Sequence, residues 1–308
     1  MTALGLRRPS LRAAVIVVLV VIVLGGALGA GMVSANAFGL GDKFDRLVAK
    51  VERLIVGPPP PDRATVPTVT VTEPPATPSP TPAPTVPPGA SPTPSPTALV
   101  RAAVDVNVVS DPNAVFAHEI RKDWCAPAGV QMTLAALGLA DTSEGFQKDL
   151  ANRIHEWETY ADSHNYEWGP SAMASALEAY GAPGYQIRAY DSRGLALRDA
   201  AIAISKTHSP AILLAWRGAH TWVMNGYRAD ADPLVFPDAN VTGTYILDPW
   251  YPWKSTIWGQ SDPPGTFQDL AEMKRNFLPW KRPEGAYPDR DGKFIVIVPT
   301  LPAPNASR

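Results

Sequence analysis

The stretch Asp123-Trp124-Cys125-Ala126-Pro127-Ala128-Gly129-Val130 holds the sole cysteine of a 308-residue chain. Proline lacks a backbone N–H and is tolerated in a helix only in its first turn, so Pro127 places Cys125 at a helix start. Val130, Met132, Leu134, Ala135 and Leu137 carry the apolar pattern of that helix towards Leu139. Unsatisfied N–H groups at a helix N-terminus stabilise the thiolate, the reactive form of cysteine. A lone thiol makes no disulfide within the chain. Free cysteine is also among the most buried residue types, but a helix start is a poor place for a core filler, and the position favours a nucleophile.

Further along, His220 opens a strand in Gly218-Ala219-His220-Thr221-Trp222-Val223, and Asp248 closes another in Tyr245-Ile246-Leu247-Asp248-Pro249-Trp250. A thiol, an imidazole to take its proton and a carboxylate to orient the imidazole form the set that activates cysteine for acyl transfer. Strand alternation puts His220, Trp222 and Met224 on one face, which predicts Trp222 as the shield of the imidazole. Trp124, Trp222 and Trp250 are candidates for a substrate groove.

Around these motifs the first half reads as helices: Cys125 to Leu139, Ser143 to Tyr160, Pro170 to Tyr180, and Gly194 to Lys206 with Ser192 as cap. The second half reads as strands: Ala211 to Trp216 and His220 to Tyr227 as a hairpin, Thr242 to Leu247, and Lys293 to Val298, with Tyr185 to Tyr190 as a fifth. Helices followed by strands predict α+β architecture, with the nucleophile helix of an N-terminal helical part packed on an antiparallel sheet.

The ordered set WCAPAGVQMTL, GAHTWVMNGY and YILDPW resembles papain-like cysteine peptidases, most closely the bacteriocin-leader-processing branch and its exported bacterial relatives. The resemblance spans most of residues 115–300. It implies a papain-like fold, Cys125 as nucleophile, His220 as base, Asp248 as orienting residue, and peptide-bond hydrolysis without metal or organic cofactor. In one respect the chain departs from the family, which places a glutamine six residues before the nucleophile to donate to the oxyanion. Here that position is Glu119. Three explanations follow: Glu119 is protonated, His118 or Gln131 donates instead, or the enzyme is weak or dead, which lends weight to a catalytically silent binding domain on a stalk as an alternative reading. Transglutaminase-like acyl transfer uses the same residue order and is the other enzymatic reading.

The rest of the chain predicts how this 98–302 domain is carried. Arg7, Arg8 and Arg12 precede an uncharged run from Ala13 to Ala37, and about 20 apolar residues suffice to span a bilayer. Residues 1–37 therefore read as a single-pass membrane anchor with the domain outside the cell, or, through Ala35-Asn36-Ala37, as a signal peptide of a secreted protein. Residues 38–56 carry a helical apolar stripe, Phe44, Leu47, Val48, Val51, Leu54 and Ile55, suited to the membrane surface or to self-association through 42–56. Residues 57–97, rich in proline and threonine, read as an extended linker, and 303–308 as a disordered tail. A formal net charge of -2 and the absence of basic runs argue against nucleic acid; the expected partner is a peptide or protein substrate. The sequence holds neither a Cys/His cluster nor a spaced acidic loop that would predict a metal.

Overall fold

The computed structural model describes residues 65–72, 99–163, 168–281 and 285–302. The anchor or signal reading of 1–37, the 38–56 helix, the tail and most of the linker lie outside these residues. Among the described residues, no helix is long and apolar enough to cross a membrane.

The element order is β1 (Thr68–Val71), β2 (Val104–Asn107), α1 (Pro112–Val115), α2 (Cys125–Ala136), α3 (Glu144–Asn152), α4 (Pro170–Ala179), β3 (Tyr185–Tyr190), α5 (Arg193–Thr207), β4 (Ala211–Leu214), β5 (His220–Ala229), β6 (Val241–Leu247), β7 (Lys254–Ser255), β8 (Gly259–Gln260), β9 (Thr266–Asp269), α6 (Leu270–Asn276) and β10 (Phe294–Pro299). One sheet runs β1-β3-β10-β4-β5-β6-β9, with β2 paired to the distal half of β5. Its pairings are antiparallel except β1 with β3. The architecture is a mixed α/β fold on a mostly antiparallel sheet, compatible with α+β.

Both faces of the sheet are covered, which explains the near-continuous apolar runs of β4 and β10. In β10, Ile295 and Ile297 pack with Met132, Leu134 and Leu177 on the side of α2 and α4, while Phe294, Val296 and Val298 pack with Leu197 and Ile204 of α5. Helix α5 is thus inserted between strands, so helical and strand halves are less separate than the sequence pattern suggests. Helix boundaries follow local chemistry. The Ser192 hydroxyl accepts from Leu195 N at the start of α5, Pro170 opens α4, and Gly138 in the left-handed region closes α2. Ser143 to Tyr160 is not one helix; α3 ends at Asn152 and a single 3-10 turn, Arg153–Glu156, follows.

The linker reading of 57–97 is corrected in one segment. Thr68–Val71 lies in a proline-free run whose N–H groups are available for pairing, and it forms edge strand β1 beside β3. A buried ion pair fastens the same corner. The Asp162 carboxylate accepts from Ser171 N and Ala172 N at the start of α4 and from the Arg290 guanidinium at 2.8 Å, while Arg290 Nε donates to Thr68 Oγ1. Arg290→Met removes one partner and leaves a buried carboxylate, so a loss of about 3–5 kcal/mol is expected in chemical denaturation. A loss below about 1 kcal/mol would show the pair to be dispensable.

Candidate active site

Helix α2 lies against β5 because Gly129, one turn beyond Cys125, presents no side chain: a Cβ there would collide with Thr221. The close approach brings the half-buried Cys125 to the start of β5, beside Thr221. Cys125 Sγ, a His220 ring nitrogen and a Glu119 carboxyl oxygen all lie within 4.8 Å of one another. On its other side, His220 Nε2 meets Asp248 Oδ1 at 2.7 Å, with both residues buried. Asp248 Oδ1 also accepts from Trp250 N, which fixes the carboxylate on the turn after β6. With Nε2 engaged by Asp248, Nδ1 is the ring nitrogen left for the thiol. The three residues singled out by motif therefore converge.

The imidazole is shielded chiefly by Trp216, whose ring stacks on it at 3.9 Å and 16°. Trp250 meets it edge-on at 6.2 Å. Trp222, expected to shield His220, shares the α5-side cluster with Trp216, and the ring stacked on the imidazole is that of Trp216. The sequence pattern extends the preceding strand to Trp216. That strand ends at Leu214, and Trp216 (φ 51°), Arg217 (φ 63°) and Gly218 (φ 82°) form a left-handed turn. Non-glycine residues in this region cost on the order of 1–2 kcal/mol each. The turn is held by Trp216 Nε1 donating to Asn276 Oδ1 and by Lys281 N donating to Arg217 O.

Beyond Trp216 and Asp248 lies a cavity of about 410 Å³ whose other walls include Trp222, Trp258, Gln268 and Asn276. Among these lining residues, Trp222 Nε1 and Gln268 Oε1 are buried atoms without hydrogen-bond partners. Trp124 flanks the thiol as the residue before α2, with Arg121 over its ring at 5.2 Å.

Glu119 has no solvent exposure and neither carboxyl oxygen has a hydrogen-bond partner. Burial, then the charges of Asp248 and Asp123, push its pKa well above the ordinary 4.5. Burial thus favours the neutral, protonated form of this group. Burial also pushes the Cys125 thiol up, with any charge on Glu119 adding to the effect and Thr221 opposing it. The protonated thiol is therefore favoured over the thiolate.

His118 and Gln131, the alternative oxyanion donors, face elsewhere. His118 Nδ1 lies 2.7 Å from Tyr251 O and 3.1 Å from Pro249 O, with its ring edge-on to Trp253. Gln131 donates both amide hydrogens to Asp141 O and Ser143 O, and its oxygen accepts from Gln147. Gln147 in turn donates to His118 O and accepts from Ile120 N. Together with Glu119 N donating to Pro249 O, these amides clamp the 118–120 backbone beside the turn that carries Asp248. No protein-family model matches the chain, and no curated protein matches it in sequence.

Proposed function

We propose that the domain is a papain-like cysteine hydrolase that cleaves peptide or related amide bonds through Cys125, His220 and Asp248, carried outside the cell on an N-terminal membrane anchor. The observation that carries this reading is the convergence of thiol, imidazole and carboxylate from α2, β5 and the end of β6. The thiol's raised pKa supports general-base activation rather than a standing ion pair.

In this mechanism Sγ attacks the substrate carbonyl carbon as its proton passes to His220 Nδ1. Asp248 accepts the Nε2–H and stabilises the imidazolium. The tetrahedral oxyanion accepts a hydrogen bond from the neutral Glu119 carboxyl group, which thus takes the place of the usual amide. Collapse expels the amine with the proton from Nδ1 and leaves a thioester. Water, deprotonated by His220, then releases the acid and restores the thiol. Sealing by Trp216 and Trp250 keeps the imidazole from bulk water, where the charged intermediate would be worth less.

The test is labelling of the full chain at neutral pH with iodoacetamide and with an epoxide peptide probe. Selective modification of Cys125 is expected, slowed at least about 100-fold by His220→Ala because the base is removed. Labelling indifferent to His220 would overturn the reading. Products formed with and without an added amine then separate hydrolysis from acyl transfer.

A further inference from the structure

Glu119, Cys125 and His220 form a triangle of oxygen, sulfur and nitrogen donors spaced within 4.8 Å. We propose that this triangle is a zinc-binding site and that the ion, by occupying Sγ, holds the domain silent until it is withdrawn. The binding half stands on the geometry of the three donors; the silencing half rests on the hydrolase reading.

The first observation is the Glu119 carboxyl group, wholly buried with both oxygens unpartnered. Buried polar atoms nearly always have partners, and a carboxyl group left with none marks a place where an ion belongs. The second is the orientation of His220. Its Nε2 is committed to Asp248 at 2.7 Å, which leaves the Nδ1 lone pair for a metal, in the carboxylate–imidazole–metal relay that orients histidine ligands. The third is the donor set. Thiolate, imidazole and carboxylate suit zinc, which with Zn–S of about 2.3 Å and Zn–N or Zn–O of about 2.0 Å holds tetrahedral donors about 3.3–3.7 Å apart. Closing the present spacing to that value takes a shift of about 1 Å or less at side-chain ends. Three protein donors leave a fourth position open to water.

Charge agrees with this assignment. Asp248 and Asp123 add negative potential at Glu119. As thiolate and carboxylate, Cys125 and Glu119 would together balance the charge of a divalent ion. Glutamine at 119 would offer a weaker neutral oxygen. The same residue that departs from the amide expected beside such a thiol thus supplies the third ligand.

The test uses the full chain, stripped with a chelator and titrated with zinc by calorimetry, and with cobalt(II) by absorption. One ion per chain at micromolar affinity or tighter is expected, with a cobalt–thiolate charge-transfer band that Cys125→Ser abolishes. Glu119→Gln is expected to weaken zinc by more than about 100-fold and Asp248→Asn by about 10- to 100-fold, with thermal unfolding confirming that each variant folds. Zinc is expected to protect Cys125 from iodoacetamide over the same concentration range as binding. Failure to bind, or binding indifferent to Glu119→Gln, overturns the site. Stripped protein that alkylates in a His220-dependent way yet takes up no zinc would sink the metal site and leave the hydrolase standing. Protein that binds zinc but, once stripped, alkylates regardless of His220 would do the reverse.

Discussion

Cys125→Ala is expected to lower hydrolysis of peptide amides by the full-length chain by about 10⁴-fold or more, because no other group on the molecule replaces the thiol. His220→Ala is expected to cost nearly as much, and the double variant little more than either alone. Residues that act as one unit lose their joint contribution when any member goes. Initial rates on a panel of fluorogenic peptide amides give the comparison. An alanine variant at Cys125 that kept even a tenth of the rate would place the chemistry elsewhere. A double variant falling by the product of the single losses would show that thiol and imidazole act separately, contrary to their placement within 4.8 Å.

Glu119→Leu is expected to lower kcat by about 100- to 1,000-fold, the usual consequence of losing one oxyanion donor. The same change removes a buried, unpartnered carboxyl group and is expected to stabilise the fold at neutral pH. A variant both sturdier and slower separates donation from structural support. The pH dependence follows from the raised Glu119 pKa. Below about 4.5 the group is protonated in folded and unfolded chains alike and contributes no difference. As pH rises past 4.5 the unfolded chain ionises while the folded one does not, so this residue increasingly disfavours the fold until its own raised pKa is reached. Thermal melts across pH should therefore show a growing advantage of Glu119→Gln over the wild type on the alkaline side. Activity should show the matching trend: the wild type falls when Glu119 finally ionises, and the glutamine variant, whose amide proton does not titrate, lacks that limb. Coincident profiles for the two proteins would remove the neutral acid from the mechanism.

Much of the site was legible in the sequence because its members occupy positions with strong local chemistry. Pro127 marks the first turn of α2, the apolar run of β5 fixes where His220 sits, and Pro249 ends the strand that delivers Asp248. Convergence itself was not legible. It depends on Gly129 admitting β5 to the helix surface, a contact between residues 92 positions apart (221 − 129). Trp216 was missed because a left-handed turn at two non-glycine residues has no sequence signature; only the packing of Asn276, Trp280 and Lys281 around it holds that backbone. Gln131 is a neutral donor near the thiol in sequence, yet its amide serves the backbone carbonyls of Asp141 and Ser143, and the amide that holds the 118–120 segment is that of Gln147. Which hydrogen bonds a buried amide makes is a tertiary property. Glu119 was a bare anomaly in one dimension, and only its burial shows that the neutral form is favoured.

The edge strand Thr68–Val71 has a consequence for how the chain responds to cleavage. It belongs to the same sheet as His220, and so does β2 on the far side of residues 73–98. A cut anywhere in that proline-rich interval is expected to nick the molecule without freeing the domain that bears Cys125 and His220. The amino-terminal fragment stays attached through backbone pairing with β3 and the Arg290 contact, so release requires a second event, the peeling away of one short strand.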